Sequence, residues 1–344
     1  MAEIGMPKND SLKMNSMAIK QKNTGLHNEC SPRILFRFLF IILSLGALIQ
    51  YFSALDALAQ SPTEKSGILR IASCQFPISN KIDVNYKWIE KQVIESKLKK
   101  ADIVHFPECA LSGYPGTDME TMDGFEWDKL SAATDSIMLL ARSLKIWIVL
   151  GSIHQLSDEN KPHNSLYVIN PEGKIVDRYD KRFCTSGDLK YFSPGDHFVN
   201  FEINGINCGL LICYDLRFPE LYREYRKTDT DLIFQSFYNA KQKKGSIHPI
   251  IMPVTSQARA ATNYFYMSLT NSSAPESWPC YFITPDGLVQ NKLTLNEPGI
   301  LISDVDINKK YYDASSPYRE NAINGKLNSG ETIRDDLSLD RKSH

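Results

Sequence analysis

From Gly67 onward, short apolar runs alternate with amphipathic stretches, and the spacing of the apolar positions predicts an α/β arrangement. Ile68 to Phe76 reads as a strand. Ile82, Tyr86, Ile89 and Val93 fall at i, i+4, i+7 and i+11, one stripe along a helix. Asp102 to Phe106 is a short buried strand ended by Pro107. Leu130, Ala133, Ile137, Leu140, Ala141 and Leu144 then mark a second helix before the strand Ile146 to Leu150. Ser165 to Asn170 and Ile175 to Tyr179 form a hairpin around Pro171-Glu-Gly-Lys174, and a second hairpin runs from Phe198 to Cys213 around Asn204-Gly205. Beyond it come a helix opening at Pro219, the strand Asp231 to Phe237, a helix over Val254 to Thr262, the strand Tyr264 to Leu269, a turn at Pro285-Asp-Gly287 and a closing strand from Gly299 to Val305. Hairpins mixed with β–α units imply mixed sheets covered by helices, not a uniform doubly wound sheet.

The ends of the chain differ from this pattern. Residues 1–37 are polar and basic, and residues 38–59 hold an apolar run (FLFIILSLGALIQYFSAL) followed by Ala57-Leu58-Ala59. A basic flank, an apolar core and an A-x-A end predict a secretory signal, with an uncleaved membrane anchor as the rival. Either places the folded part outside the cytoplasm, because positive flanks stay inside; a cytoplasmic protein is the alternative. Residues 60–66 form a linker, 67–310 one large domain, and 311–344 a polar arm or tail.

Charge and cysteine usage narrow the function classes. Lys and Arg number 39 against 40 acids among the 344 residues, and no basic run is interleaved with aromatics, so nucleic acid is set aside. Seven cysteines are an odd, scattered set, which suits neither a zinc site nor a disulfide scaffold. Gly-rich phosphate loops, HExxH and GxSxG are absent.

Three apolar strands each deliver a polar residue at their end: Glu108 (HFPECALSGYP), Lys181 (RYDKRF) and Cys213 (GLLICYDLRFPE). Strand ends on one edge of an α/β sheet are where distant parts of a chain converge. Cys213 falls in a strand-to-helix elbow, where unpaired backbone N–H groups favour a thiolate. On this segment alone a buried structural cysteine is the competing reading.

Together these segments resemble the nitrilase, or carbon–nitrogen hydrolase, superfamily over about residues 67–310, with Arg259-Ala-Ala-Thr-Asn263 and Asn271 also fitting its pattern. The resemblance implies an α-β-β-α sandwich, a homo-oligomer formed through a helix face, and hydrolysis of a non-peptide C–N bond in a small amide or nitrile without metal or organic cofactor. It implies Cys213 as nucleophile, Glu108 as base and Lys181 as oxyanion stabiliser. The chemistry agrees: a thiol at neutral pH needs a base, and a fixed ammonium with the Tyr214 N–H suits a developing oxyanion. Asp188 stands where many relatives carry a further Glu, and is either an auxiliary acid or an ordinary loop charge. Tyr114 is packing or substrate contact, and Phe237, Tyr238 and Asn239 are candidate pocket wall. Asp215 and Arg217 read as an ion pair holding the elbow. Amidase, nitrilase and N-carbamoyl chemistries share this triad. A Cys–His enzyme using His197 or His248, and a non-catalytic binding protein of the same fold, are the alternatives from other classes.

Overall fold

A computed structural model describes residues 66–157 and 159–334. The apolar segment at 38–59 therefore lies outside the described residues, and among those described no helix is long and apolar enough to cross a membrane.

Among the described residues, twelve strands form two six-stranded sheets. The first has the order β12-β1-β2-β3-β4-β5, from β1 (Ile68–Gln75), β2 (Ile103–His105), β3 (Trp147–His154), β4 (His163–Ile169), β5 (Ile175–Asp180) and β12 (Gly299–Asp306). The second has the order β11-β10-β9-β8-β7-β6, from β6 (Asn200–Ile203), β7 (Ile206–Ile212), β8 (Leu232–Ser236), β9 (Tyr266–Thr270), β10 (Tyr281–Ile283) and β11 (Val289–Lys292). β1, β2 and β3 run parallel, as do β7, β8 and β9, while the outer pairs are antiparallel. The expected mixed sheets are present.

Period-two alternation sorts each strand between two cores. Leu69, Ile71, Ile103 and Val149 face the second sheet and pack with Leu210, Ile212 and Phe234. Their neighbours Ala72, Cys74, Val104, Ile148 and Leu150 face the other way, onto Ile82, Ile89 and Val93 of α1 (Ile82–Leu98) and Ile137 and Ala141 of α2 (Trp127–Leu144). Tyr222 and Tyr225 of α3 (Pro219–Lys227) and Met252 and Ala260 of α4 (His248–Asn263) cover the second sheet. Helix, sheet, sheet, helix is the layer order.

The structure extends several predicted elements. α4 begins six residues before Val254 because Pro249 suits a first turn, and Pro253 forfeits only a bond to the carbonyl of Pro249. β3 continues past Leu150 through Gly151, where a Cβ would meet the Pro107 carbonyl at 1.9 Å. Only glycine lets that strand lie so close to the segment leading into Glu108. Asn204 and Gly205 both have positive φ, the two-residue turn that matches strand twist. The C-terminal arm is folded at least to α5 (Arg319–Ile323), where Arg319 is buried against Asp313 and donates to the Thr262 carbonyl.

The interior between the sheets is not wholly apolar. Ser73 and His105 of the first sheet meet Ser268 and Ser236 of the second: Ser73 Oγ lies 2.7 Å from Ser268 Oγ, and His105 Nδ1 and Nε2 lie 2.8 and 2.9 Å from Ser268 Oγ and Ser236 Oγ. Ser236 Oγ donates onward to the Phe106 carbonyl at 2.8 Å, so its hydroxyl must accept from His105, which assigns the imidazole proton to Nε2. Burial lowers the His105 pKa from 6.5 to about 3. The folded protein thus keeps this ring neutral while the unfolded chain takes up a proton below pH 6.5. Stability from this group is complete above pH 6.5 and is lost as pH falls toward 3. Urea unfolding of His105→Gln between pH 6 and pH 4 is expected to show a shallower loss of stability than the parent, by up to about 1.4 kcal/mol per pH unit; equal slopes would show that His105 does not govern this acid sensitivity.

Candidate active site

β2 and β5 of the first sheet and β7, β8 and β9 of the second end at a common edge of the sandwich. Glu108 follows β2 by three residues, Lys181 and Cys213 directly follow β5 and β7, Tyr238 and Asn239 follow β8, and Asn271 follows β9. The topology thus brings together residues far apart in sequence.

Glu108 is fully buried and every oxygen has a partner. Its Oε1 accepts from Lys181 Nζ and from Asn164 Nδ2, both at 2.8 Å, and its Oε2 accepts from the Tyr238 N–H at 2.7 Å. Lys181 Nζ also lies 2.9 Å from Asp188 Oδ2. Asp188 in turn accepts from the Tyr114 hydroxyl and, at 2.9 Å, from the Thr185 N–H. One ammonium is therefore held between two buried carboxylates. Burial pushes the Glu108 pKa up, Lys181 opposes this, and Asp188 pushes it up again; the net shift is upward. Burial acts the same way on Asp188, but Lys181, Tyr114 and Thr185 outweigh it and hold that carboxyl below its usual range. Burial would pull Lys181 down, yet Glu108 and its other anionic neighbours keep its pKa well above the ordinary value.

Cys213 has φ +43°, a left-handed conformation that costs a non-glycine residue about 1–2 kcal/mol. The elbow is held there by Asp215, whose carboxylate accepts from the Ile212 N–H (3.0 Å), the Phe183 N–H (2.9 Å) and the Tyr179 hydroxyl (2.8 Å). This corrects the expected Asp215–Arg217 ion pair: the acid binds backbone and a tyrosine, and no such pair forms among the described residues. Burial raises the Asp215 pKa to about 6 in spite of those donors. Arg259 adds a second brace, donating to the Leu216 carbonyl at 3.2 and 3.3 Å. The thiol itself is pushed upward, first by burial and then by the Glu108 charge, so the resting sulfur is protonated and needs a base to become a nucleophile.

Asn239 Nδ2 lies 3.6 Å from Cys213 Sγ. Its other atoms fix that orientation, since the backbone N–H donates to Asn271 Oδ1 at 2.8 Å and Oδ1 accepts from Trp278 Nε1 at 3.2 Å. Tyr114 and Tyr238 stack with centroids 4.9 Å apart. Cys213, Lys181, Asp188, Tyr114, Tyr238 and Asn239 line one cavity of about 310 Å³, at the small end of the range for small-molecule sites. One expected wall residue is elsewhere. Phe237 is buried behind the wall, edge-on to Trp278 at 4.8 Å, because the residue after β8 still points into the core. The Tyr214 ring turns away to Phe218, so only the Tyr214 N–H, in the first turn after Cys213, remains a candidate donor. His197 pairs with Asp177 at 2.9 Å on the surface, whereas His248 lines the cavity.

Sequence reasoning missed Asn164, Thr185 and Asp118. Asn164 sits within an ordinary strand, and only the β4–β5 register carries it to Glu108. Asp118 accepts from the Tyr238 hydroxyl at 2.6 Å and the Tyr114 N–H at 2.9 Å, and pairs with Lys241. Its segment lacks periodicity, so no sequence signal pointed to it.

Residues 70–311 match the carbon–nitrogen hydrolase family. The chain belongs to that family. Among curated relatives, this carbon–nitrogen hydrolase is 31% identical over 169 residues to the 2-oxoglutaramate amidase of Bacillus subtilis, a match that spans 48% of this chain and 63% of that protein, under two thirds of its length. It is 29% identical over 261 residues to the omega-amidase of Mus musculus, covering 70% of this chain and 89% of that one. Its fold matches the amidase from Nesterenkonia sp. with a TM-score of 0.63 at 20% identity, covering 75% of this chain and 96% of that one. A variant of that amidase carrying the acetamide moiety of fluoroacetamide on its active site cysteine matches with a TM-score of 0.64 at 21% identity, over 76% and 98% of the two chains. The α-β-β-α expectation is borne out.

The charge cluster makes a checkable statement about Glu108 in this carbon–nitrogen hydrolase. Asp188 raises the Glu108 pKa, so Asp188→Asn is expected to lower it. Infrared titration of the Glu108 carboxyl, assigned by difference against Glu108→Gln, reads this directly, and an upward or absent shift would contradict the arrangement.

Proposed function

We propose that this chain hydrolyses a small carboxamide through a Cys213 thioester, with Glu108 as general base and acid and Lys181 as oxyanion stabiliser. The observation that supports it most is that Cys213 and Lys181 face the same cavity, with the buried Glu108 carboxylate 2.8 Å from Lys181. Amidase names among the curated relatives support the amide over the nitrile and N-carbamoyl alternatives.

The steps follow from the pKa directions. Glu108, ionised but with a raised pKa, takes the proton of Cys213 as the sulfur attacks the carbonyl carbon. Negative charge on the carbonyl oxygen is met by Lys181 Nζ and the Tyr214 N–H. The tetrahedral intermediate collapses, the C–N bond breaks, and Glu108 returns the proton to the leaving ammonia. Water, deprotonated by Glu108, then attacks the thioester, which releases the acid and restores the thiol. Asp188 keeps Lys181 charged and aimed, and Asn239 holds the sulfur toward the cavity.

Ammonia release from short aliphatic amides is expected to fall by more than about a thousandfold in Cys213→Ala, and by at least about a hundredfold in Lys181→Met. Full activity of Cys213→Ala would end the proposal. We further propose self-association through α4, where Ile250 and Val254 are exposed apolar residues one turn apart. Val254→Glu is expected to shift the sedimentation coefficient toward the monomer, and an unchanged value would rule out that face.

A further inference from the structure

We infer that Asp118 is a positioning residue, which holds the base and the ammonium of the proposed reaction in register through the two stacked tyrosines Tyr114 and Tyr238. This rests on the amidase reading and adds to it a carboxylate that does not line the cavity.

The Asp118 side chain is fully buried, and its loop is built to aim it inward. The Gly116 N–H donates to the Met119 carbonyl at 2.7 Å and the Asp118 N–H to the Tyr114 carbonyl at 2.8 Å, a turn that folds the carboxylate back onto Tyr114. There Oδ2 accepts from the Tyr114 N–H at 2.9 Å, while Oδ1 accepts from the Tyr238 hydroxyl at 2.6 Å and from Lys241 Nζ. A buried carboxylate without partners costs several kcal/mol, and Lys241, itself partly exposed, offsets that charge. Tyr114 lies in the segment after β2 of the first sheet and Tyr238 follows β8 of the second, so Asp118 ties a loop of one sheet to a loop of the other.

The two tyrosines run in opposite senses between Asp118 and the reactive cluster. Tyr114 binds Asp118 by its backbone and Asp188 by its hydroxyl, whereas Tyr238 binds Asp118 by its hydroxyl and Glu108 by its backbone N–H, at 2.7 Å. Lys181, 2.8 Å from Glu108 Oε1 and 2.9 Å from Asp188 Oδ2, closes the ring of contacts. Stacking of the aromatic rings, 4.9 Å apart and 15° from parallel, stiffens the two spans against each other. Asp118 is the one group that anchors both. Releasing it frees the N–H that fixes Glu108 and the hydroxyl that fixes Asp188 together, and a misplacement of about 1 Å can cost on the order of a hundredfold in rate.

Two variants test this. Asp118→Asn keeps the size of the side chain but sets an amide nitrogen against one of its donors, and Tyr238→Phe removes one bond of the ring without changing charge. With butyramide as substrate, each is expected to lower kcat about tenfold while KM changes less than about twofold, since a misplaced base slows the chemistry and leaves the cavity unaltered. A ring is opened by its first break, so the double variant is expected to stay within about twofold of the slower single one, where independent losses would multiply to about a hundredfold. Tyr238→Phe also loosens the N–H bond that favours ionised Glu108, so infrared titration of that carboxyl is expected to move to higher pH. Should Asp118→Asn fail to fold, Tyr238→Phe carries the test alone. An unchanged kcat, losses that multiply, or a Glu108 titration unmoved in Tyr238→Phe would overturn the positioning role while leaving the amidase reading intact. If the parent released no ammonia from any short aliphatic amide, the amidase reading would fall, and the titration would decide by itself whether the ring holds Glu108.

Discussion

One buried ammonium between two buried carboxylates is the constraint around which this molecule is arranged. Each of Glu108, Lys181 and Asp188 would be costly to bury alone, since desolvating an unpaired charge costs several kcal/mol or more. Together they offset one another, and the surrounding donors complete the set: Asn164, the Tyr238 N–H, the Thr185 N–H and the Tyr114 hydroxyl. Every one of those donors comes from a different loop or strand, which is why so much of the fold is fixed by so small a cluster. Burial first, and then the Asp188 charge, raises the Glu108 pKa from its ordinary value against the pull of Lys181, and a carboxylate in that condition is a better base than an exposed one.

The strained elbow at Cys213 belongs to the same design. Its positive φ is held by Asp215, which ties the Ile212 N–H to the Tyr179 hydroxyl and the Phe183 N–H, residues on either side of Lys181. Sulfur and ammonium are thereby braced by one buried acid. This explains why Asp215 and not an Arg217 pair occupies that place: an acceptor with several lone pairs can gather three donors, whereas an ion pair would have satisfied only one partner.

Mixed sheets covered by helices and the convergence of Glu108, Lys181 and Cys213 were legible because they depend on patterns that sequence carries directly: apolar runs, their period, and polar residues at their ends; the α-β-β-α layer order rested on the family resemblance. The length of α4 and the continuation of β3 were not, because Pro249, Pro253 and Gly151 read as breaks until their neighbours are known. Asn164 and Asp118 were invisible for another reason. Their roles come from register and loop packing, and an Asn in a strand or an Asp in an irregular loop has the same local signature whether or not it supports an active site. Phe237 shows the converse, a residue in the right place along the chain whose side chain faces the core.

The division of the site between the two sheets has a further consequence. Glu108 and Lys181 belong to the first sheet, Cys213 and Asn239 to the second, and the Ser73–His105–Ser236–Ser268 relay stitches the layers just beneath them. A folding intermediate with either sheet formed alone would hold base without thiol or thiol without base. Bringing the Glu108 carboxylate and the Cys213 thiol together therefore requires both sheets to be docked, so neither sheet alone can carry the proposed chemistry.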